Sequence, residues 1–236
     1  MKYLSWEEKN IIASDGNVLD EKIVTDMYAR GFVFTRIGKG VMQQTRAVRI
    51  DLSKFELSSE NRRILKKIDT AGVIYREIAL PLSATDYHWS LAKTAKDFYE
   101  KKFGPGIMSA AKIKEMLTDT TKSNFNTMLS FAVKKEVGIT PIGAAICYKN
   151  TDILHYSYPF YNLEHIMIPK DIGLGMMTLA IVHAKEAGLT HIYLGSLQRP
   201  GDTYKLQFKG IEWFDGGPDG SGTWQTDIEK AKNILK

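Results

Sequence analysis

The chain is poor in the residues that anchor several large classes of function. One cysteine, Cys147, in 236 residues excludes an intramolecular disulfide and any multi-cysteine zinc or iron–sulfur site. The five histidines (His88, His155, His165, His183 and His191) show no metal-ligand spacing such as His-x-x-x-His. No Ser-His-Asp arrangement and no phosphate loop of the nucleotide-hydrolysing type is present. Apolar runs are short and broken by charge, so no membrane-spanning segment is expected. The opening Met-Lys-Tyr-Leu-Ser-Trp-Glu-Glu carries acids where a signal peptide needs an apolar core, so a cytoplasmic protein is expected. There is no repeat and no low-complexity tract. Arginine is nearly missing from the second two thirds of the chain, where Arg199 stands alone after Arg76.

What is there is unevenly charged. The net charge is +5, but Arg30 to Arg76 holds eleven bases against four acids, and seven of the eight arginines. Arginine forks onto phosphate or carboxylate, so this segment suits a polyanion or an acidic substrate, with a solvated basic face as the plain alternative. Residues 104–236 are close to neutral. A chain of this length buries a substantial core as one large domain or two modest ones.

Periodicity gives the elements. Asp20 caps a short helix with Ile23, Met27 and Tyr28 as its apolar stripe and Gly31 as its stop. Strands are expected at 32–34 and 47–52. Ser58 or Ser59 starts a second helix, with Glu60 in its first turn and Lys66 and Lys67 in its last, an order that suits the helix dipole. A longer helix is expected over 83–102, with Tyr87, Leu91, Ala95 and Phe98 inward. Phe103-Gly-Pro-Gly106 breaks it and marks a boundary. That places an N-terminal α+β region at 1–104 and a second domain at 105–236. A short helix covers 110–117, and consecutive antiparallel strands are expected at 128–133, 139–148 and 153–158. A helix at 173–187 and a buried strand at 191–195 follow. Thr203 to Trp213 reads as a last strand, Asp215 to Gly222 as a flexible loop, and 225–235 as a terminal helix. A meander leading into strand–helix–strand is α/β with a mixed sheet. In the second of those strands Cys147 reads as a small core hydrophobe; a thiol nucleophile needs a neighbouring base, and the sequence shows none.

One series of motifs concentrates the chemistry. Tyr156-Ser-Tyr-Pro-Phe-Tyr161 ends a strand, Lys170-Asp-Ile-Gly173-Leu174-Gly175 opens a helix, Tyr193-Leu-Gly195 ends a second strand, and Tyr204-Lys205 with Phe208 follows. A glycine turn at a helix start leaves backbone N–H groups aimed at whatever sits there, which suits an anionic or carbonyl-bearing acyl donor. Asp171 lies inside that turn, where a carboxylate repels a pyrophosphate.

The series resembles the acyl-transferring half of the GNAT superfamily. In wording it is closer to the C-terminal domain of arginyl-tRNA–protein transferases. It shares with them the Tyr158-Pro-Phe-Tyr161 segment, Gly173-Leu-Gly175, Ala184-Lys-Glu-Ala-Gly-Leu189, Tyr193-Leu-Gly195 and Tyr204-Lys205. Upstream, Gly31-Phe32, Arg49-Ile-Asp-Leu-Ser-Lys-Phe55 and Leu57-Ser-Ser-Glu-Asn-Arg62-Arg63 follow the family's order. The resemblance covers most of 28–214. It implies a GNAT-like mixed, mostly antiparallel sheet with flanking helices, and transfer of an amino acid from aminoacyl-tRNA to an amine, a protein N-terminus in the N-degron pathway.

Roles follow from the chemistry of acyl transfer, which needs a neutral amine, a polarised carbonyl and a protonated leaving group. Tyr161 and Tyr204 are candidates for the acid at the leaving group. Lys205 is a candidate for holding an acceptor carboxylate or the tRNA 3′ phosphate. Tyr158, Lys170, Gly173, Leu174, Gly175 and Gly195 would surround the donor. Arg49, Arg62 and Arg63 would contact the acceptor or tRNA. Glu164 and His165 are candidates for deprotonating the amine. No cofactor beyond the aminoacyl-tRNA is expected, and no metal.

The chain departs from the family in three places. The family's N-terminal cysteines, placed by resemblance between Gly31 and Arg49, are absent, so no cysteine-ligated cluster is expected. Tyr-Leu-Gly-Tyr-Tyr becomes Tyr193-Leu-Gly-Ser-Leu197, which changes the floor of the site, and the N-terminus is shorter. Two other readings stay open: an acetyl-CoA-dependent N-acetyltransferase, and a non-catalytic module of the same fold that binds RNA or a peptide terminus.

Overall fold

The computed structural model describes residues 4–12, 20–136, 138–164 and 169–236. In chain order its elements begin with β1 (Glu7–Asn10), α1 (Glu21–Ala29), β2 (Phe32–Phe34), β3 (Val41–Gln44), β4 (Ala47–Asp51), α2 (Ser59–Thr70) and β5 (Val73–Ala79). Then come α3 (Trp89–Phe103), α4 (Ala110–Thr118), β6 (Thr127–Lys135), β7 (Gly138–Lys149), β8 (Ile153–Tyr161) and α5 (Ile172–Glu186). The last are β9 (His191–Ser196), a 3-10 helix (Pro200–Gln207), β10 (Ile211–Gly216), β11 (Gly222–Gln225) and α6 (Ile228–Ile234). Eight strands are hydrogen-bonded in the order β11-β10-β4-β9-β8-β7-β6-β5, and a second sheet runs β1-β3-β2. β8 and β9 are parallel, joined through α5, while β4 pairs antiparallel with both β9 and β10. The sheet is of the expected class, mixed and mostly antiparallel with flanking helices. No helix among the described residues is long and apolar enough to cross a membrane.

The chain divides into two compact units built from interleaved stretches: 1–58, 149–155 and 183–236 form one, 59–148 and 156–182 the other. The Phe103–Gly106 break, read as a boundary, lies inside the second unit, between α3 and α4. In the first unit Asp20 caps α1, its carboxylate accepting from the Lys22 and Ile23 N–H groups at 2.7 and 3.2 Å. Val24, Met27 and Tyr28 are the buried stripe, while Ile23 is 39% exposed, one position away from the expected face. Gly31 closes this stretch at φ +79°, and a Cβ there would sit 2.3 Å from the Phe214 ring. Glycine is the residue that fits both demands.

In the second unit α2 buries Ile64 and Ile68, and α3 begins at Trp89 rather than Ser83. His88 caps α3, its Nδ1 accepting from the Ser90 N–H, and the buried positions are Ala92, Ala95, Phe98 and Tyr99. Residues 83–86 instead form a turn held by the Ser83 hydroxyl and Asp86. β6 and β7 form a long antiparallel pair with a bulge at Phe131/Ala132. Cys147 lies fully buried there, and desolvation pushes its thiol up to about 12, so no thiolate nucleophile exists at neutral pH.

The expected strand at 203–213 is corrected: its first half is the 3-10 helix and only Ile211 onward pairs as β10. Pro200 occupies the first turn, where its missing N–H costs nothing, and Asp202 accepts from the Gln198 and Arg199 N–H groups. The expected loop at 215–222 is a hairpin connection between β10 and β11, closed by Gly217 N–H donating to the Ser221 carbonyl at 3.0 Å.

Candidate functional site

In the second unit the end of β8 meets the start of α5. Gly143 on β7 lets β8 approach closely, since a Cβ there would sit 2.5 Å from the Phe160 carbonyl oxygen and 2.8 Å from Tyr161 Cβ. The Tyr161 ring packs on Phe98 with centroids 4.8 Å apart, and the Tyr99 hydroxyl donates to the Pro159 carbonyl at 3.1 Å. The Tyr161 phenol lies over the first turn of α5. A Cβ on Gly173 would be 3.1 Å from Tyr161 Cε1 and 3.3 Å from its hydroxyl oxygen. Half-burial raises the phenol's pKa, so the group keeps its proton at neutral pH and is a donor there.

Gly175 is accounted for from the other side, because a Cβ would meet Ile68 Cγ2 at 2.8 Å. The two glycines therefore serve close packing by Tyr161 and by α2. Leu174 is half-buried, Lys170 is exposed, and the half-buried Tyr158 ring meets Phe125 edge-on at 5.2 Å. Asp171 pairs with Lys67 at 2.7 Å. That hydrogen bond, with the charges of Lys67, Arg63 and Lys170, holds its carboxyl below the usual range. Arg63 is bound bidentately by Glu60 at 2.6 and 2.8 Å, and Arg62 is exposed on the same helix. Glu164 is exposed with Lys101 3.7 Å away, and His165 lies outside the described residues.

The first unit holds Lys205 in the opposite manner. Lys205 is 8% exposed, and its Nζ donates to the Ser196 carbonyl at 2.8 Å with Asp202 Oδ1 at 3.6 Å. Burial pushes the ammonium down, and Asp202 resists that shift. Gly195, at φ +77°, has Lys205 Nζ 3.9 Å from where its Cβ would stand. Tyr204 is 44% exposed, its ring centroid 5.8 Å from that same Nζ.

In the same unit but 127 residues apart in sequence, Tyr28 and His155 meet at 2.8 Å, hydroxyl to Nδ1. The Tyr28 oxygen also accepts from the Phe34 N–H at 3.4 Å, so the phenol ties His155 to β2. Burial first, and the Lys205 charge second, push His155 down to about 3, so it is neutral.

Arg49 is committed within this unit: Nε donates to Glu212 at 2.8 Å and the guanidinium lies 3.9 Å over Trp224. The three arginines expected to act together thus fall in different units. Sequence reasoning missed Phe98 as the wall for Tyr161, Tyr99 as the donor to the Pro159 carbonyl, Lys67 as the partner of Asp171, and Tyr28 with His155. His183 and His191 are half-buried, and no three His, Cys, Asp or Glu side chains among the described residues converge as a metal site.

No family model matches the chain, and no curated protein matches it. Among solved structures, it is similar to the C-terminal domain of a lysylphosphatidylglycerol synthetase from Agrobacterium fabrum, at 13% identity and TM-score 0.47. That match covers 78% of this chain but only 54% of the other, about half. The similarity to L-PGS from Bacillus licheniformis has 11% identity and TM-score 0.49, covering 92% of this chain and 70% of that one. FemX is similar at 10% identity and TM-score 0.44, over 76% of this chain and 60% of its own.

Proposed function

We propose that the chain is an aminoacyltransferase that takes an amino acid from aminoacyl-tRNA and gives it to an amine, a protein N-terminus of the kind used in the N-degron pathway. The observation behind this reading is the Tyr161 phenol, held protonated over the first turn of α5, at the centre of the ordered motifs that resemble arginyl-tRNA–protein transferases. In the reaction the neutral amine attacks the ester carbonyl, a C–N bond forms, and the C–O bond to the tRNA ribose breaks. The leaving ribose oxygen needs a proton and the amine must lose one. Tyr161 supplies the first, with the amine's proton restoring the phenol. The helix start, with Lys170, Gly173 and Leu174, would lie against the donor, as would Tyr158.

Lys205 fits a buried cation for an acceptor carboxylate or the 3′ phosphate, with Tyr204 the exposed hydroxyl beside it. Arg62 and Arg63, with Lys66, give tRNA a basic helix face, while Arg49 fits this role less well because Glu212 and Trp224 hold it. Acceptor and tRNA contacts would fall mainly to residues 1–104 and acyl transfer to 105–236, in the cytoplasm, with no cofactor besides the charged tRNA.

A second reading, acetyl-CoA-dependent N-acetylation, gains from one observation: Lys67 offsets the Asp171 carboxylate that would oppose a pyrophosphate at α5. The two separate on binding of the purified chain to charged tRNA and to acetyl-CoA, side by side across a salt series. Micromolar tRNA binding that weakens steeply with salt, without CoA binding, supports aminoacyl transfer. CoA binding alone makes the chain an acetyltransferase. Neither leaves a binding module of this fold.

A further inference from the structure

The segment Leu4–Trp6 is held in a way that ordinary strand pairing does not require. β1 pairs with β3 as far as Glu7↔Gln44, and the Trp6 N–H still reaches the Gln44 carbonyl at 2.9 Å. Beyond that point the ladder partner is replaced by side chains. The Leu4 N–H donates to Gln198 Oε1 at 2.8 Å. Its carbonyl accepts from the Thr45 hydroxyl at 2.7 Å and from Gln198 Nε2 at 3.2 Å. One primary amide thus reads both backbone groups of a single extended residue, as a neighbouring strand would.

The reading group is itself fixed. Gln198 Nε2 also contacts Thr45 Oγ1 at 2.7 Å and Ser196 Oγ at 3.1 Å. Its backbone N–H is held by Asp202, the carboxylate beside Lys205. Two residues further along the segment, the Trp6 ring has its own berth: it meets Phe214 edge-on at 6.4 Å, and a Cβ on Gly216 would lie 2.8 Å from it. A backbone clamp followed at a spacing of two by an aromatic berth is the layout of a peptide-binding ledge, in which main-chain bonds give affinity and alternate side chains give selectivity.

We propose that Gln198, Thr45 and Ser196, with the Phe214–Gly216 berth, form a binding site for an extended peptide bearing an aromatic residue two positions after the clamped one, and that the chain's own Leu4–Trp6 occupies it. Because Leu4–Trp6 fills the site, an arriving peptide must displace it, and the Asp202 carboxylate that holds the Gln198 N–H lies 3.6 Å from Lys205 Nζ. The inference stands apart from the transfer reading, since its readouts need neither tRNA nor turnover.

The probe is an acetylated, dye-labelled peptide with the sequence of residues 1–10, its binding followed by fluorescence anisotropy. The full-length Leu4→Pro chain lacks the clamped N–H, and it should bind the peptide at least tenfold more tightly than the unaltered chain does, whose tethered segment competes at high effective concentration. Adding Gln198→Ala to that chain should remove the gain, and a peptide with proline at the clamped position should bind neither. A folded Leu4→Pro chain that gains no affinity, or gains it equally without Gln198, overturns the proposal. The unaltered chain gives a second reading that depends on no variant. At millimolar peptide, hydrogen exchange at the Leu4 and Trp6 amides should quicken at least tenfold while β1 beyond Glu7 is unchanged; unchanged exchange at Leu4 also overturns it.

Discussion

The two units hold their candidate groups by opposite means. The first buries polar groups: Lys205, His155 and Arg49 sit among fixed partners, and each is tied to a backbone carbonyl, a phenol or a carboxylate. The second buries rings and leaves charge on the surface, with Phe98 behind Tyr161 while Arg62, Arg63, Lys66 and Lys67 stay exposed on α2. A buried polar group costs stability unless satisfied, so the first unit's groups are bound up with folding. Those of the second can change without disturbing the core. Function and stability should therefore separate by substitution in the second unit and stay coupled in the first.

The largest expected effect tests that coupling. Arg49→Met should destabilise the chain by about 3 kcal/mol, because Glu212 loses its close partner in a mostly buried pair and Trp224 loses its stacked cation. Urea unfolding measures it, and a loss too small to resolve would remove the distinction between the units. Next is Tyr161→Phe, which keeps the ring on Phe98 and deletes only the proton donor. Transfer from charged tRNA should fall by roughly a hundredfold, the lower end for a general acid, with the melting temperature essentially kept. Equal loss of stability and activity would mean that the hydroxyl is structural.

His155 gives the pH-dependent form of the same contrast. Its folded pKa of about 3 lies below the usual histidine value of 6.5, so the unfolded chain binds the extra proton between those pH values. Its contribution to stability is complete above pH 6.5 and is lost as pH falls toward 3. Carboxylates held low, such as Asp171, contribute in the same direction only at lower pH. His155→Asn retains a hydrogen-bonding partner for the Tyr28 hydroxyl and removes the titration. The slope of melting temperature against pH between 4.5 and 6.5 should therefore flatten relative to the unaltered chain; an unchanged slope would show that the buried imidazole is not what titrates.

Local signals made most of this architecture readable. Asp20 and Gly31 bracket α1, and the apolar face of 173–187 together with the strands on either side fixes the β8–α5–β9 unit. That order also brought Tyr161 and Gly173 forward together. Elements whose identity depends on distant partners were missed. β5 reads Val-Ile-Tyr-Arg-Glu-Ile-Ala without clean alternation, since as an edge strand it is half covered on both faces and is recognisable only through β6. The 3-10 helix was mistaken for a strand because Tyr204, Leu206 and Phe208 alternate, although Pro200 and Asp202 already spell a helix start. The burial of Lys205 was hidden for a related reason. A lone lysine in a polar stretch looks solvated until Ser196 and Asp202 are seen to enclose it. Lys67 with Asp171 and Tyr28 with His155 are separated by 104 and 127 positions, and no local pattern joins such pairs.

The smallest expected effect on stability comes from α2 and sharpens the contrast most. Arg63 is solvent-exposed and bound by Glu60 one turn before it, a pairing that water and salt largely cancel. Arg63→Gln should leave the melting temperature unchanged within error, unlike Arg49→Met in the first unit. If the α2 face contacts tRNA phosphates, the same substitution lowers affinity across tRNA species and makes the plot of log affinity against log salt shallower by about 0.7 to 0.9, one counterion's worth. The double variant with Lys66→Gln should shift it by about twice that, because contacts to separate phosphates add. A salt slope untouched by both changes would take α2 out of the tRNA interface and leave its charges as solvated surface, with Tyr161 still to be judged on its own activity measurement.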